Sequence, residues 1–209
     1  NVIIHAGATP VMVDLNEEDF NINAEKVKAA ITPKTKAIIA VDIAGYPCDY
    51  DKLYQAIEEN KHQFTPSSEQ QQKLGRIVLI SDAAHSFGAT MNGKRSGALA
   101  DISTFSFHAV KNLTTAEGGA ICFNLPEPFD HDAIYKHFCT LILHGQSKDA
   151  LAKTQKGNWR YDVEDPGFKC NMTDLQAAIG LVELDRYQEN LDRRQHIFNL
   201  YNTAFGAEE

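Results

Sequence analysis

The chain has 209 residues, 43% of them hydrophobic, which is enough to bury a substantial core. Its 20 Lys and Arg residues against 28 Asp and Glu residues give a formal net charge of -8, and no segment is strongly basic, which argues against nucleic acid as a partner. No apolar run approaches the ~20 residues that cross a bilayer, and no signal peptide is visible, so we expect a cytoplasmic protein without membrane contact.

The predicted elements begin with two short apolar runs, residues 2–4 and 11–13, both of which favour strands. Asn23 is expected to cap a helix that starts at Ala24 and stops at Thr32 and Pro33. Residues 37–41 are apolar at every position, which is typical of a central buried strand.

Asp49 is expected to cap the next helix, because an apolar stripe follows it at helical spacing: Tyr50, Leu53, Tyr54 and Ile57. Residues 61–75 are polar and without periodicity, which predicts a surface loop away from any site. Further strands are predicted at residues 77–80, 102–107 and 120–123. The alternation of apolar and amphipathic segments indicates an α/β fold with a mostly parallel sheet.

The last predicted element is a long helix that starts at Thr173, since Thr173 and Gln176 have the spacing of a capping box. Its expected apolar face consists of Leu175, Ala178, Ile179 and Val182. A bend is predicted within residues 185–190, before a second helical stretch. The four cysteines are too scattered for a zinc or redox motif, so we expect free thiols and no metal site.

Two predicted strand ends carry the residues with chemical potential. Asp82, Ala84 and His85 follow one strand, and Ser106 and Lys111 follow the next. Ligands in open α/β sheets bind at the carboxyl ends of strands, so these segments are the expected site. Taken singly, Lys111 is more often a surface lysine and Asp82 a turn residue. Together they suit a pyridine aldehyde cofactor, which needs an amine for an imine and a carboxylate for the ring nitrogen.

Longer motifs connect this chain with a known family. The matching stretches are residues 6–14, 31–38, 81–89, 105–119 and 167–180. They run in order over nearly the full chain, and the chain resembles the nucleotide-sugar aminotransferases of the DegT/DnrJ/StrS type. The resemblance implies the aspartate aminotransferase fold, known as fold type I, and pyridoxal 5′-phosphate as the cofactor.

The resemblance also implies a role for individual residues. Lys111 would form the Schiff base with the cofactor, and Asp82 would pair with the pyridine nitrogen. Ala84 would press against one face of the ring, and Ser106 would hold the phosphate. His85 stands near the ring hydroxyl, at a position where many family members have Gln.

Asn171, by the same resemblance, would reach the cofactor phosphate of a neighbouring subunit, which implies a homodimer with shared active sites. A helix start beside it would favour an anion. The family has an upstream segment and a carboxyl-terminal small domain that we do not find, so we expect a piece of a longer protein. We predict a partial cofactor-binding domain at residues 1–187 and the start of a helical connection at residues 188–209.

The implied reaction is transamination, in which L-glutamate gives its amino group to a nucleotide-linked keto-deoxysugar and Lys111 moves the proton. His144 and residues 159–162 could line the sugar pocket, although a structural role is at least as common for such residues. A sugar dehydratase of the same fold would have the lysine replaced, commonly by His. A cysteine desulfurase would need a mobile nucleophilic Cys. The alternative outside enzymes is a non-catalytic sensor or regulator that keeps the fold.

Overall fold

The computed structural model describes residues 1–147 and 160–206. The helices in these residues are α1 (Val2–His5), α2 (Ala24–Ala30), α3 (Tyr50–Glu59), α4 (Glu69–Leu74), α5 (His131–Leu141), α6 (Asp174–Asp185) and α7 (Tyr187–Phe205). The strands are β1 (Ala37–Val41), β2 (Val78–Asp82), β3 (Thr90–Met91), β4 (Lys94–Arg95), β5 (Ile102–Ser106) and β6 (Gly119–Phe123). Short 3-10 turns lie at Ile43–Gly45, Lys61–Gln63 and Ser96–Ala98.

The main sheet has the strand order β1-β2-β5-β6. β2 is parallel to β1 and to β5, and its last residue, Asp82, is paired with Val41 on one side and Thr104 on the other. β6 runs back along β5, because the Asn124 N–H donates to the Asp101 carbonyl at the start of β5. The predicted α/β class with a mostly parallel sheet is therefore confirmed.

The chain divides into two compact units. The first comprises Asn1–Phe105 and Ala120–Asn171, and it contains most of the sheet with α2 and α3 packed together. Its core consists of apolar side chains from these elements, among them Val27, Ile38, Leu53, Ile57, Ile77 and Leu79. Removing this apolar surface from water is the main favourable contribution to the free energy of folding.

The two helix caps predicted in this unit are confirmed. The Asn23 side chain accepts a hydrogen bond from the Lys26 N–H at 2.9 Å, and α2 ends at Ala30, before Thr32. The Asp49 side chain accepts from the Lys52 N–H at 3.1 Å at the start of α3. These contacts satisfy backbone donors that a helix start otherwise leaves unpaired.

The two strands predicted nearest the amino terminus are wrong. Residues 2–4 belong to α1, whose backbone bonds are local, such as Ala6 N–H to the Val2 carbonyl. Residues 11–13 form no strand, and Val11 and Met12 are exposed. An apolar run of three residues lacks the length that separates a strand from a helical turn, so the pattern did not decide between them.

Two further expectations need correction. β1 is a strand, but it is an edge of the described sheet rather than its centre, and Ala37 and Val41 are exposed. The polar segment 61–75 is not irregular throughout, because it contains a 3-10 turn and α4. Ser68 caps α4, and Gly75 ends it in the left-handed conformation that glycine adopts without strain.

The second unit comprises Ser106–Gly119 and the chain from Met172 onward, with helices α6 and α7. The predicted capping box at Thr173 and Gln176 is present, and the predicted bend is the break at Arg186. The expected apolar face of α6 is not buried within this chain, since Leu175 and Val182 are exposed. No helix among the described residues is both long enough and apolar enough to cross a membrane.

A buried ion pair links the start of β2 to the start of β5. Arg76 Nη1 and Nη2 each donate to the Asp101 carboxylate at 2.7 Å. The Leu79 N–H and the Tyr54 hydroxyl donate to the same carboxylate, at 2.8 and 3.1 Å. The Asp101 side chain is only 2% exposed, so this charge depends on its protein donors in place of water.

We expect Arg76→Ala to lower the free energy of unfolding by about 3–5 kcal/mol, because it leaves the Asp101 carboxylate buried without its cationic partner. Urea denaturation measures the change. The control is Lys26→Ala, which breaks an ion pair to Asp14 whose side chains are 49% and 80% exposed. That variant should lose less than about 1 kcal/mol, and equal losses in the two variants would contradict the prediction.

Candidate active site

Three predicted site residues lie at the end of β2 and on the turn that follows it. Asp82 is half-buried, and its carboxylate accepts a hydrogen bond from the Ala84 N–H at 3.2 Å. The Ala83 N–H donates to the Thr104 carbonyl at 2.9 Å, which ties the turn to β5. The backbone of His85 follows immediately, and Ala84 is half-buried beside it.

Ser106 and Lys111 lie on a second segment, at and after the end of β5. Ser106 Oγ accepts from the His108 N–H at 3.4 Å, and the Lys111 N–H donates to the His108 carbonyl at 3.0 Å, which closes a turn. Within residues 1–147 and 160–206, Lys111 Nζ has no hydrogen-bond or ion-pair partner. The lysine side chain is half-buried.

The strand register fixes where the two segments begin. Asp82 is paired with Thr104, and Ser106 comes two residues after Thr104. Because β2 and β5 are parallel, both segments leave the sheet at carboxyl ends, where ligands of α/β proteins bind. The register fixes only where these segments begin, and the location of a ligand site there and the role of each residue toward a cofactor stay predictions.

Asn171 lies on a third segment, directly before Met172 and the cap of α6. Its side-chain oxygen accepts a hydrogen bond from Lys169 Nζ, so a cation already lies beside it. Of the residues considered for the sugar pocket, His144 is exposed and its N–H donates to the Phe168 carbonyl, and Trp159 lies outside the described residues. The proposed roles of these residues stay predictions.

The loop that carries Lys111 is held on α6 and α7 by contacts that the sequence did not reveal. Gln176 Nε2 donates to the Glu117 carbonyl, and Arg194 Nη1 donates to Asn112 Oδ1, each at 2.8 Å. Asn112 is the residue next to Lys111. Both contacts follow Lys111 in the chain and restrain the loop on that side, while the turn bond to the His108 carbonyl restrains it on the side that precedes Lys111.

A third contact of this loop depends on a glycine. Thr115 is buried, and a Cβ added at Gly180 of α6 would lie 2.8 Å from Thr115 Cγ2. A separation this short requires one side to move. The absent side chain of Gly180 therefore makes the space in which the Thr115 methyl group sits against the helix.

We expect Gly180→Ala to lower the free energy of unfolding by about 1 kcal/mol, because overpacking costs ~1–3 kcal/mol and alanine gains only ~1 kcal/mol over glycine in a helix. In a Thr115→Ser background the clashing methyl group is absent. In that background Gly180→Ala should stabilise the protein. Urea denaturation should therefore show that Gly180→Ala changes the free energy of unfolding with opposite signs in the Thr115 and Thr115→Ser proteins. The same sign in both backgrounds would refute the contact.

The chain is similar to known proteins over its whole length. The whole chain, residues 1–209, matches the DegT/DnrJ/EryC1/StrS aminotransferase family. The chain belongs to this family. A structure of Spr1654 from Streptococcus pneumoniae, described as a sugar aminotransferase in its PMP form, superposes with a TM-score of 0.92 at 50% identity, over 99% of this chain and 52% of that one. The PLP form of Spr1654 gives a TM-score of 0.90.

Two curated relatives in this family have similar identity. The spore coat polysaccharide biosynthesis protein SpsC of Bacillus subtilis is 39% identical over 98% of this chain and 48% of its own length. The GDP-perosamine synthase of Caulobacter vibrioides is 38% identical over 96% of this chain and 46% of its own length. The chain thus spans about half the length of these DegT/DnrJ/EryC1/StrS relatives.

Proposed function

We propose that the protein is a pyridoxal phosphate-dependent aminotransferase of nucleotide-linked keto-sugars. The observation that carries the proposal is the pair of adjacent parallel strands, in a member of this aminotransferase family, that end in Asp82 and in the segment with Lys111. A carboxylate on one strand end and an unengaged amine after the next are the two groups that pyridoxal phosphate chemistry requires.

The donor set of the described residues fits this cofactor. Asp82 offers a carboxylate to a protonated ring nitrogen, and Ser106 and Asn171 offer a hydroxyl and an amide to a phosphate. When bound, pyridoxal phosphate supplies a ring that accepts electrons from a carbon that loses its proton. The solved forms of Spr1654 with PLP and with PMP support the same cofactor here.

Lys111 is the proposed proton carrier. Its amine would attach the cofactor at rest and, once displaced by the amino donor, would move a proton between the donor carbon and the cofactor. The backbone turn at His108 and the contact of Asn112 with Arg194 keep the start of this side chain in place. We propose L-glutamate as the amino donor.

The acceptor would be a ketone on a nucleotide-linked deoxysugar. The name GDP-perosamine synthase, borne by one relative, supports a nucleotide-linked substrate. A homodimer in which Asn171 of one subunit serves the neighbouring site is part of the proposal, and so is a cytoplasmic location. Lys111 disfavours the sugar dehydratase alternative, in which that lysine is replaced.

We expect Lys111→Ala to abolish both turnover and the visible absorbance of lysine-bound cofactor, because no other residue of the proposed site has an amino group. Absorbance spectra of the full-length protein with added pyridoxal phosphate measure the loss of absorbance, and release of 2-oxoglutarate from L-glutamate in the presence of a nucleotide-linked keto-sugar acceptor measures turnover. Lys94→Ala makes the same charge change on the separate β3–β4 hairpin and should leave both unchanged.

Full turnover and an unchanged spectrum in Lys111→Ala would overturn the assignment of this lysine. If the unsubstituted full-length protein shows no visible absorbance band with added pyridoxal phosphate, the hypothesis of a non-catalytic regulator is favoured. A panel of nucleotide-linked keto-sugars, assayed with the unsubstituted protein, identifies the acceptor. Absence of transfer to every member of the panel, despite a normal cofactor band, would contradict the sugar substrate but leave the cofactor assignment intact.

A further inference from the structure

Asp42, the residue directly after β1, is a buried carboxylate that the proposed reaction does not use. It is 1% exposed. Its Oδ1 accepts from the Tyr50 hydroxyl at 2.7 Å and from the Cys48 N–H at 3.0 Å, and its Oδ2 accepts from the Ser86 hydroxyl at 2.6 Å. The Tyr50 hydroxyl oxygen also lies 2.6 Å from Ser81 Oγ. A buried charge with this many donors fixes the groups around it.

This network reaches the turn of the candidate site from two directions. The Ser86 hydroxyl binds Asp42 directly after His85, and the Asp42 N–H donates to the Asp82 carbonyl at 3.1 Å. The turn from Asp82 to Ser86 is thereby held at both ends by one residue. Gly45 packs closely against the same turn, because a Cβ there would lie 2.9 Å from the His85 carbonyl oxygen.

Tyr50 is the part of the network that is open to a clean test. Burial first, and then the charge of Asp42, raise the pKa of Tyr50 well above its ordinary value, so its hydroxyl keeps the proton that it donates. One helical turn later, Tyr54 donates in the same way to the other buried carboxylate, Asp101. Asp101 directly precedes β5, so it lies at the amino-terminal end of the parallel strands, whereas Asp82 lies at their carboxyl-terminal end.

We propose that Asp42 and Tyr50 are positioning residues, which hold the Asp82–Ser86 turn in the conformation that binds the cofactor ring. This inference rests on the proposed function. If the turn populates the competent conformation only part of the time, the apparent cofactor affinity falls by that fraction. Removing a donor from Asp42 should therefore weaken cofactor binding without any change in the groups that contact the cofactor.

The test compares Tyr50→Phe with Tyr54→Phe in the full-length protein. Both variants remove one hydroxyl from α3 and one hydrogen bond to a buried carboxylate. Tyr50→Phe should raise the dissociation constant of pyridoxal phosphate about tenfold, since a hydrogen bond to a charged group contributes on that order. Tyr54→Phe should lower thermal stability but change the dissociation constant by less than about twofold.

Hydrogen exchange in the cofactor-free protein gives a second measurement. The Ser86 and Ala89 amides are bonded within the turn and just after it, and Tyr50→Phe should speed their exchange about tenfold relative to Tyr54→Phe. Should Tyr50→Phe fail to fold, Ser86→Ala replaces it, with Ser103→Ala as its control. The Ser103 hydroxyl is buried as well, but it donates to the Ser96 carbonyl.

The two proposals fail in different ways. Equal exchange rates at Ser86 and Ala89 in the Tyr50 and Tyr54 variants, or equal dissociation constants, would overturn the positioning role. Failure of the unsubstituted protein to bind pyridoxal phosphate at Lys111, tested by borohydride reduction and peptide mapping, would instead overturn the proposed function. The positioning role is supported if Tyr50→Phe, but not Tyr54→Phe, speeds amide exchange at Ser86 and Ala89 and weakens the binding of pyridoxal phosphate.

Discussion

The parallel hydrogen bonding of β2 with β1 and β5 is the constraint on which the candidate site depends. It places Asp82 in register with Val41 and Thr104, so the residues that follow all three strands leave the sheet in the same direction. An antiparallel neighbour would send its following loop to the opposite edge. β6 is such a neighbour, and it contributes none of the residues assigned to the cofactor.

One buried carboxylate lies at each end of the parallel strands. Asp101 stands before β5 with a guanidinium partner, whereas Asp42 stands after β1 and accepts from the neutral donors of Tyr50, Cys48 and Ser86. Among the described residues, no buried side-chain nitrogen or oxygen atom lacks a hydrogen-bond partner. Networks of this kind specify one conformation because any broken contact leaves a buried polar group without its bond.

The sequence was a good guide wherever the signal was local. The caps at Asn23, Asp49 and Thr173 were predicted because an N-cap and its backbone partner lie within three residues of each other. The strands around Asp82 and Ser106 were predicted because a buried strand is a short apolar run. The position of β1 at a sheet edge was not predictable, since the pairing partner of a strand is a long-range property.

The same limit applied to the site. The turn at Asp82 and the loop at Lys111 could be predicted from motifs, but the role of Asp42 could not, because Ser86 lies 44 residues away from it in sequence. One feature of the sequence does point to Asp42. Asp42 directly follows an apolar strand, and the rule that directed attention to Asp82 applies equally to it.

Lys111 shows why the supporting contacts matter more than the lysine itself. A nucleophilic amine, which is the role proposed for Lys111, must remain unengaged by other side chains, so it cannot be positioned through its own hydrogen bonds. Its loop is fixed instead through neighbours: Asn112 by Arg194, Thr115 by the space at Gly180, and Glu117 by Gln176. Asp82 is arranged alike: among the described residues its carboxylate accepts only from the Ala84 N–H, and Asp42 holds the surrounding turn. In both segments the backbone is restrained by residues that have no part in the proposed chemistry, which leaves the Lys111 amine and the Asp82 carboxylate available to a ligand.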